Sequence, residues 1–181
     1  MLKIVTVPND ILTTPTKLIN SFDGKLHQLV KGMEETLNAQ VDPQGVGLAA
    51  AQVGVGLSLF IIKPTPKAKI TTFVNPVIIK AVFKKDSLSR RVSSKRKKHH
   101  FEGCLSIPKI WSPVKRATKF LLEYQTINGV KKTEWFSGFE AVIIQHEVDH
   151  LNGILFTQRA LEQKSQLYEE QNGKLQKFKI D

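Results

Sequence analysis

The chain has one cysteine, Cys104, in 181 residues. An intramolecular disulfide is excluded, and this usage fits a reducing compartment, so a cytoplasmic location is expected. No apolar run approaches the ~20 residues needed to cross a bilayer, and the start of the chain carries no secretory signal. No membrane contact is therefore expected. Internal repeats and linker-like stretches are also missing, so a single domain over residues 1–181 is expected. Acidic residues are scarce, 16 against 27 Lys and Arg, giving a formal charge of +11. Phosphate-binding signatures are absent as well. Gly45-Val46-Gly47-Leu48-Ala49-Ala50-Ala51-Gln52 is rich in small residues. It has neither the G-K-[ST] ending of a P-loop nor the G-x-G-x-x-G of a dinucleotide fold.

The most informative feature present is Gln145-His146-Glu147-Val148-Asp149-His150, an H-E-x-x-H motif. On a helix, positions i and i+4 share a face. His146 and His150 can then grip one metal ion, with Glu147 beside it to move protons. Ser137 and Glu140 have the spacing of a capping box, and Gly153 marks the helix stop. Phe139, Val142, Ile143, His146 and His150 fall on one stripe. The plainer reading is two ordinary histidines with a chance glutamate between them.

A third ligand decides between these readings. The metzincin pattern places a histidine where this chain has Phe156. Glu162, Glu169 and Glu170 lie in a polar tail that reads as a surface helix. Cys104, in Phe101-Glu102-Gly103-Cys104-Leu105-Ser106-Ile107-Pro108, is the remaining candidate. A lone cysteine is commonly a small buried hydrophobe. As a ligand it completes a Cys-His-His set with one position open, the form of catalytic sites. Gln52 can supply a buried side-chain N–H donor to an oxyanion.

GVGLAAAQ at 45–52, EGCLS at 102–106 and QHEVDH at 145–150 together resemble the signature segments of the peptide deformylases. Pro8–Leu12 and Val114-Lys115-Arg116 extend the resemblance, which covers about residues 1–165. It implies that Cys104, His146 and His150 hold a divalent metal, Fe²⁺ in the typical member, with Zn²⁺, Ni²⁺ or Co²⁺ as replacements. It implies that Glu147 is the proton carrier. Gln52 and the backbone N–H of Leu105 are implied as the oxyanion donors. The implied substrate is a nascent N-formylmethionyl polypeptide, and the products are formate and a free N-terminus. Val46, Gly47, Phe139, Val142 and Ile143 are expected to wall the methionine pocket. The backbone of Gly45–Leu48 is expected to pair with the extended peptide.

Two places depart from the family pattern. Trp111 stands where many members carry a basic residue. The segment Lys84–His100 holds eight Lys and Arg against one acid, Asp86, and so carries +7 of the +11. It reads as a solvated, mobile insertion or as a ribosome or RNA contact. No aromatics interleave it, so base stacking is not indicated. A different amide hydrolase, such as a zinc peptidase, and a basic RNA-binding protein with a vestigial metal site are the alternative functions.

Segments also suggest the fold. Leu26, Leu29, Val30, Met33 and Leu37 predict a helix over Gly24–Asn38. Strands are expected at 57–63, 71–74 and 77–79, with a hairpin at 119–136 around Asn128-Gly129. A polar helical tail is expected over 160–181, interrupted near Asn172-Gly173. These runs predict an α+β fold. It would be a single compact domain with small, mostly antiparallel sheets packed around a central metal-binding helix.

Overall fold

The structure is a computed structural model that describes residues 1–83 and 101–178. The basic insertion expected at Lys84–His100 lies outside the described residues. Two antiparallel sheets carry the fold, which is α+β as expected. The first contains Gly47–Ala49 (β1), Leu59–Ile62 (β2), Thr71–Val82 (β3), Lys119–Gln125 (β6) and Lys131–Ser137 (β7), side by side in that order. The second contains Phe101–Cys104 (β4), Ile107–Pro113 (β5), Tyr168–Gln171 (β8) and Lys174–Lys177 (β9), also in that order.

The first sheet is covered on both faces, which explains why β2 is an unbroken apolar run. Phe60 and Ile62 join a core with Phe73, Phe120, Ile143 and Ile144. Leu59 and Ile61 join a second core with Leu26, Val30, Met33 and Leu37. Each fully buried side chain of this kind contributes roughly 1.5–3 kcal/mol. The second core is closed by a helix at Gly24–Asn38 (α1), with the bounds the periodicity predicts. Asp23 caps it by accepting from the Lys25 and Leu26 N–H groups.

The two strands expected at 71–74 and 77–79 are one strand. Asn75-Pro76 interrupts the pattern without ending it. The register shifts between Val74 and Val77, and Asn75 takes a φ of 49°. A bulge accommodates the proline that a regular ladder would reject. The hairpin of β6 and β7 forms as expected, with Gly129 at a φ of 79°.

The first core is closed by a helix at Gly138–Leu151 (α2), which packs against β1, β2, β6 and β7. Ser137 is its N-cap, but its side chain makes no capping hydrogen bond. Gly138 has a φ of 66°, and this left-handed entry replaces the expected capping box. The other end is a Schellman turn. Gly153 N–H donates to His150 O and Ile154 N–H to Asp149 O, with Gly153 at a φ of 70°. A Cβ there would also meet Thr13 O at 2.6 Å.

Among the described residues, the helical tail expected over 160–181 is not formed. A short helix, Phe156–Glu162 (α3), ends there, and β8 and β9 follow as a hairpin. Asn172 and Gly173 take φ values of 51° and 73°, the pair a two-residue type I′ turn requires. The hairpin docks on β5, with Ile110 opposite Glu169 and Trp111 opposite Tyr168. That long-range ladder decides the outcome, because the polar tail has no apolar stripe to stabilise a helix.

Candidate metal centre and active site

Three segments converge on one site. The C-terminal half of α2 supplies His146, Glu147 and His150, all buried. Half-buried Cys104 ends β4, and the tight turn to β5 is Leu105-Ser106. Gln52 comes from a 3₁₀ turn, Ala50–Val53, that follows β1.

Cys104 Sγ lies 3.1 Å from His150 Nε2. Ligand atoms of Cys104, His146 and His150 all fall within 4.8 Å of one another. His146 uses Nδ1 to contact Glu102 Oε2 at 3.0 Å, which leaves Nε2 for a metal. Two buried atoms, Glu147 Oε2 and His150 Nδ1, find no hydrogen-bond partner among the described residues. A half-buried thiol and two imidazoles around one point, with an unpartnered Glu147 carboxylate oxygen beside His146, fit a bound divalent ion with water.

The imidazoles also favour the thiolate form of Cys104. Burial pushes the Cys104 thiol up, but the charge of His150 and hydrogen bonds from both imidazoles outweigh it. The thiol is held well below its ordinary value, as a thiolate ligand requires. Burial pushes Glu147 up to about 7, against the opposing pull of His146 and His150. A carboxyl in that range can both take and give a proton near neutral pH.

Gln52 is almost fully buried. Its Oε1 accepts from Ala49 N–H at 2.8 Å, and its Nε2 faces Cys104 Sγ and Ser106 Oγ, each at 3.3 Å. Leu105 packs its side chain against the second core. Gly47 backs onto Glu147 and Ile143, where no Cβ fits. Val46 packs against the same core as Ile143. Val142 is partly exposed. Phe139, in the first turn of α2, is 48% exposed and stands two helical turns from His146.

Several supporting residues were not assigned roles from sequence. Arg116 forms a fork onto Glu102, Nε to Oε1 and Nη2 to Oε2, both at 2.9 Å. Its Nη1 donates to Asp149 Oδ2, and Asp149 also receives Arg159 Nη2 at 2.8 Å. Burial would raise the Glu102 carboxyl, but Arg116 and His146 hold it at about 2. A buried ionic chain thus runs from His146 through Glu102 and Arg116 to Asp149. The available signals were weak: Glu102 is two residues from Cys104 on a strand, and Asp149 is three from His146 on a helix. Trp111 lies across Gly103, where an added Cβ would meet its ring at 2.7 Å, and donates from Nε1 to Glu170 Oε2 at 3.1 Å.

An α+β domain with a Cys-His-His cluster, an adjacent carboxyl and an amide donor has the make-up of a metallo-hydrolase. The family model described as polypeptide deformylase matches residues 1–166. A peptide deformylase of Borreliella burgdorferi is 37% identical over 155 residues, covering 86% of this chain and 85% of that protein. One of Helicobacter pylori strain P12 is 36% identical over 183 residues, covering 98% and 96%. The crystal structure of a peptide deformylase from Legionella pneumophila superposes with a TM-score of 0.74 at 31% identity, covering 91% and 92%. That from Thermotoga maritima gives 0.70 at 30%, covering 88% and 97%. The chain belongs to the polypeptide deformylase family. It is a metal-dependent hydrolase that removes the formyl group from the N-terminus of a polypeptide.

Proposed function

We propose that the substrate is a nascent chain beginning with N-formylmethionine and that the residues divide the work as follows. Cys104, His146 and His150 hold one divalent ion, which when bound polarises the scissile amide and acidifies water. Glu147 accepts the proton of the attacking water and delivers it to the departing amine. The formyl C–N bond breaks, giving formate and a free α-amino group. Gln52 Nε2 and the Leu105 backbone N–H donate to the oxyanion that develops on the formyl oxygen. The observation that carries this reading is the convergence of three ligand atoms within 4.8 Å, with buried Glu147 and Gln52 beside them.

The substrate peptide is assigned to the outer edges of β1 and β4. Each of these strands stands at the end of its sheet, so an extended chain can add to a strand edge. Val46, Gly47 and Ile143 wall the methionine pocket, with Val142 and Phe139 farther along the helix. Fe²⁺ is the proposed ion, with Zn²⁺, Ni²⁺ or Co²⁺ as replacements, because one thiolate and two imidazoles suit all four. A cytoplasmic location follows from the substrate and from a thiolate ligand that needs reducing conditions. The +7 segment Lys84–His100 is assigned to contact with ribosomal RNA, near the emerging chain, on the strength of its charge.

The test is formate release from formyl-Met peptides by anaerobically prepared protein, with metal analysis of the same sample. Cleavage of internal peptide bonds in place of formate release would refute the proposal.

A further inference from the structure

We infer that Ser106 is a positioning residue that aims the Gln52 amide, an inference that rests on Gln52 being an oxyanion donor. The Gln52 side chain is clamped from several directions. Ala49 N–H can only donate, so the amide atom 2.8 Å away must be oxygen. Nε2 is thereby turned toward Cys104 and Ser106 and has two N–H groups to place. Ser106 Oγ accepts one of them. The other points at Cys104 Sγ, 3.3 Å away, on the side where the formyl oxygen must arrive and take it over.

Neither partner has water to replace the other: Ser106 is 0% exposed and Gln52 1%. Their backbones are held in register by one segment. Val5 N–H donates to Gln52 O at 2.8 Å, and Val7 N–H donates to Ser106 O at 3.1 Å. Residues 52 and 106 are therefore fixed relative to each other from behind the site. The last torsion of a glutamine side chain is broad and weakly restrained on its own. Ala49 restrains one end of the amide, and Ser106 restrains the other. At 3.3 Å the Ser106 contact is long, so its contribution is direction more than binding strength.

A double-mutant cycle tests this, with wild type, Ser106→Ala, Gln52→Ala and the double variant compared for formate release, metal content and melting temperature. Ser106→Ala is expected to lower kcat about tenfold, the loss of one oriented hydrogen bond. Metal content and KM are expected to hold. In the Gln52→Ala background the same change is expected to lower kcat no further, while any loss of melting temperature recurs in full. Equal kcat losses in both backgrounds, or no loss in either, would overturn the inference. Ser106→Cys keeps the bulk and weakens the acceptor, so it serves if the alanine variant does not fold. It is expected to show a smaller kcat loss with the same dependence on Gln52. Wild-type protein without formate release would instead overturn the functional reading itself.

Discussion

Glu102 Oε2 sits 3.0 Å from His146 Nδ1, and the same carboxylate is held by a two-pronged contact from Arg116. One buried acid therefore sets the orientation of a candidate metal ligand and balances a buried guanidinium. Truncating one partner of such a buried pair typically costs about 3–5 kcal/mol, because the other charge is left uncompensated. Glu102→Ala is expected to destabilise the protein by that order in urea unfolding. It is also expected to weaken metal binding by about 10–100-fold, the usual effect of losing an outer-shell partner. Competition with a chelator measures the second effect, and unchanged affinity would remove Glu102 from the site.

Cys104→Ala and Glu147→Ala are expected to fail in different ways. The first removes a proposed ligand and should leave protein that does not retain metal through dialysis. The second should retain the ion and lose turnover by about two to four orders of magnitude. Elemental analysis beside formate release separates them. Full metal occupancy in Cys104→Ala would refute its assignment as a ligand.

Gly47→Ala probes the wall of the pocket. Its Cβ would overlap Glu147 Oε1 and would lie 2.8 Å from the carboxyl carbon and 2.9 Å from Ile143 Cγ2. Backbone and core hold the strand, so the carboxyl must move. The expected outcome is a large fall in kcat with folding retained, read by formate release and circular dichroism. Activity equal to wild type would show that Glu147 has freedom the close packing denies it.

Acid stability of the metal-free protein follows from Glu102. Its carboxyl is held at about 2, against an ordinary value of 4.5. A carboxylate lowered by folding stabilises the native state above its unfolded pKa, and that stabilisation fades as pH falls through the folded value. Urea stability should therefore decline between about pH 4.5 and pH 2. Glu102→Gln should flatten the decline over that window. A slope unchanged by the substitution would assign the acid sensitivity to other groups.

Much of the site was legible in the sequence for a physical reason. His146, Glu147 and His150 lie within one helical turn and a half, where spacing fixes geometry. The bounds of α1 followed from apolar periodicity in the same way, since local hydrogen bonding needs no distant partner. Three segments resembling one family then supplied Cys104 and Gln52, which spacing alone left open.

Other features depended on contacts that no local pattern carries. Asn172-Gly173 read as a break in a helix, yet it is the turn of a hairpin that exists because β5 offers a free edge. Asn75-Pro76 read as a gap between strands, yet a bulge carries the ladder through it. By itself the sequence determined the candidate ligand types, the helix that presents two of them and the α+β class, because residue chemistry and short-range periodicity are local properties. Tertiary structure alone decided that Cys104 meets His150 and that Ser106 meets Gln52. It also decided that Arg116 closes a buried charge chain from Glu102 to Asp149. Such pairs are selected by burial, where an unpartnered charge or amide is too costly to leave, and burial is settled only when distant segments pack.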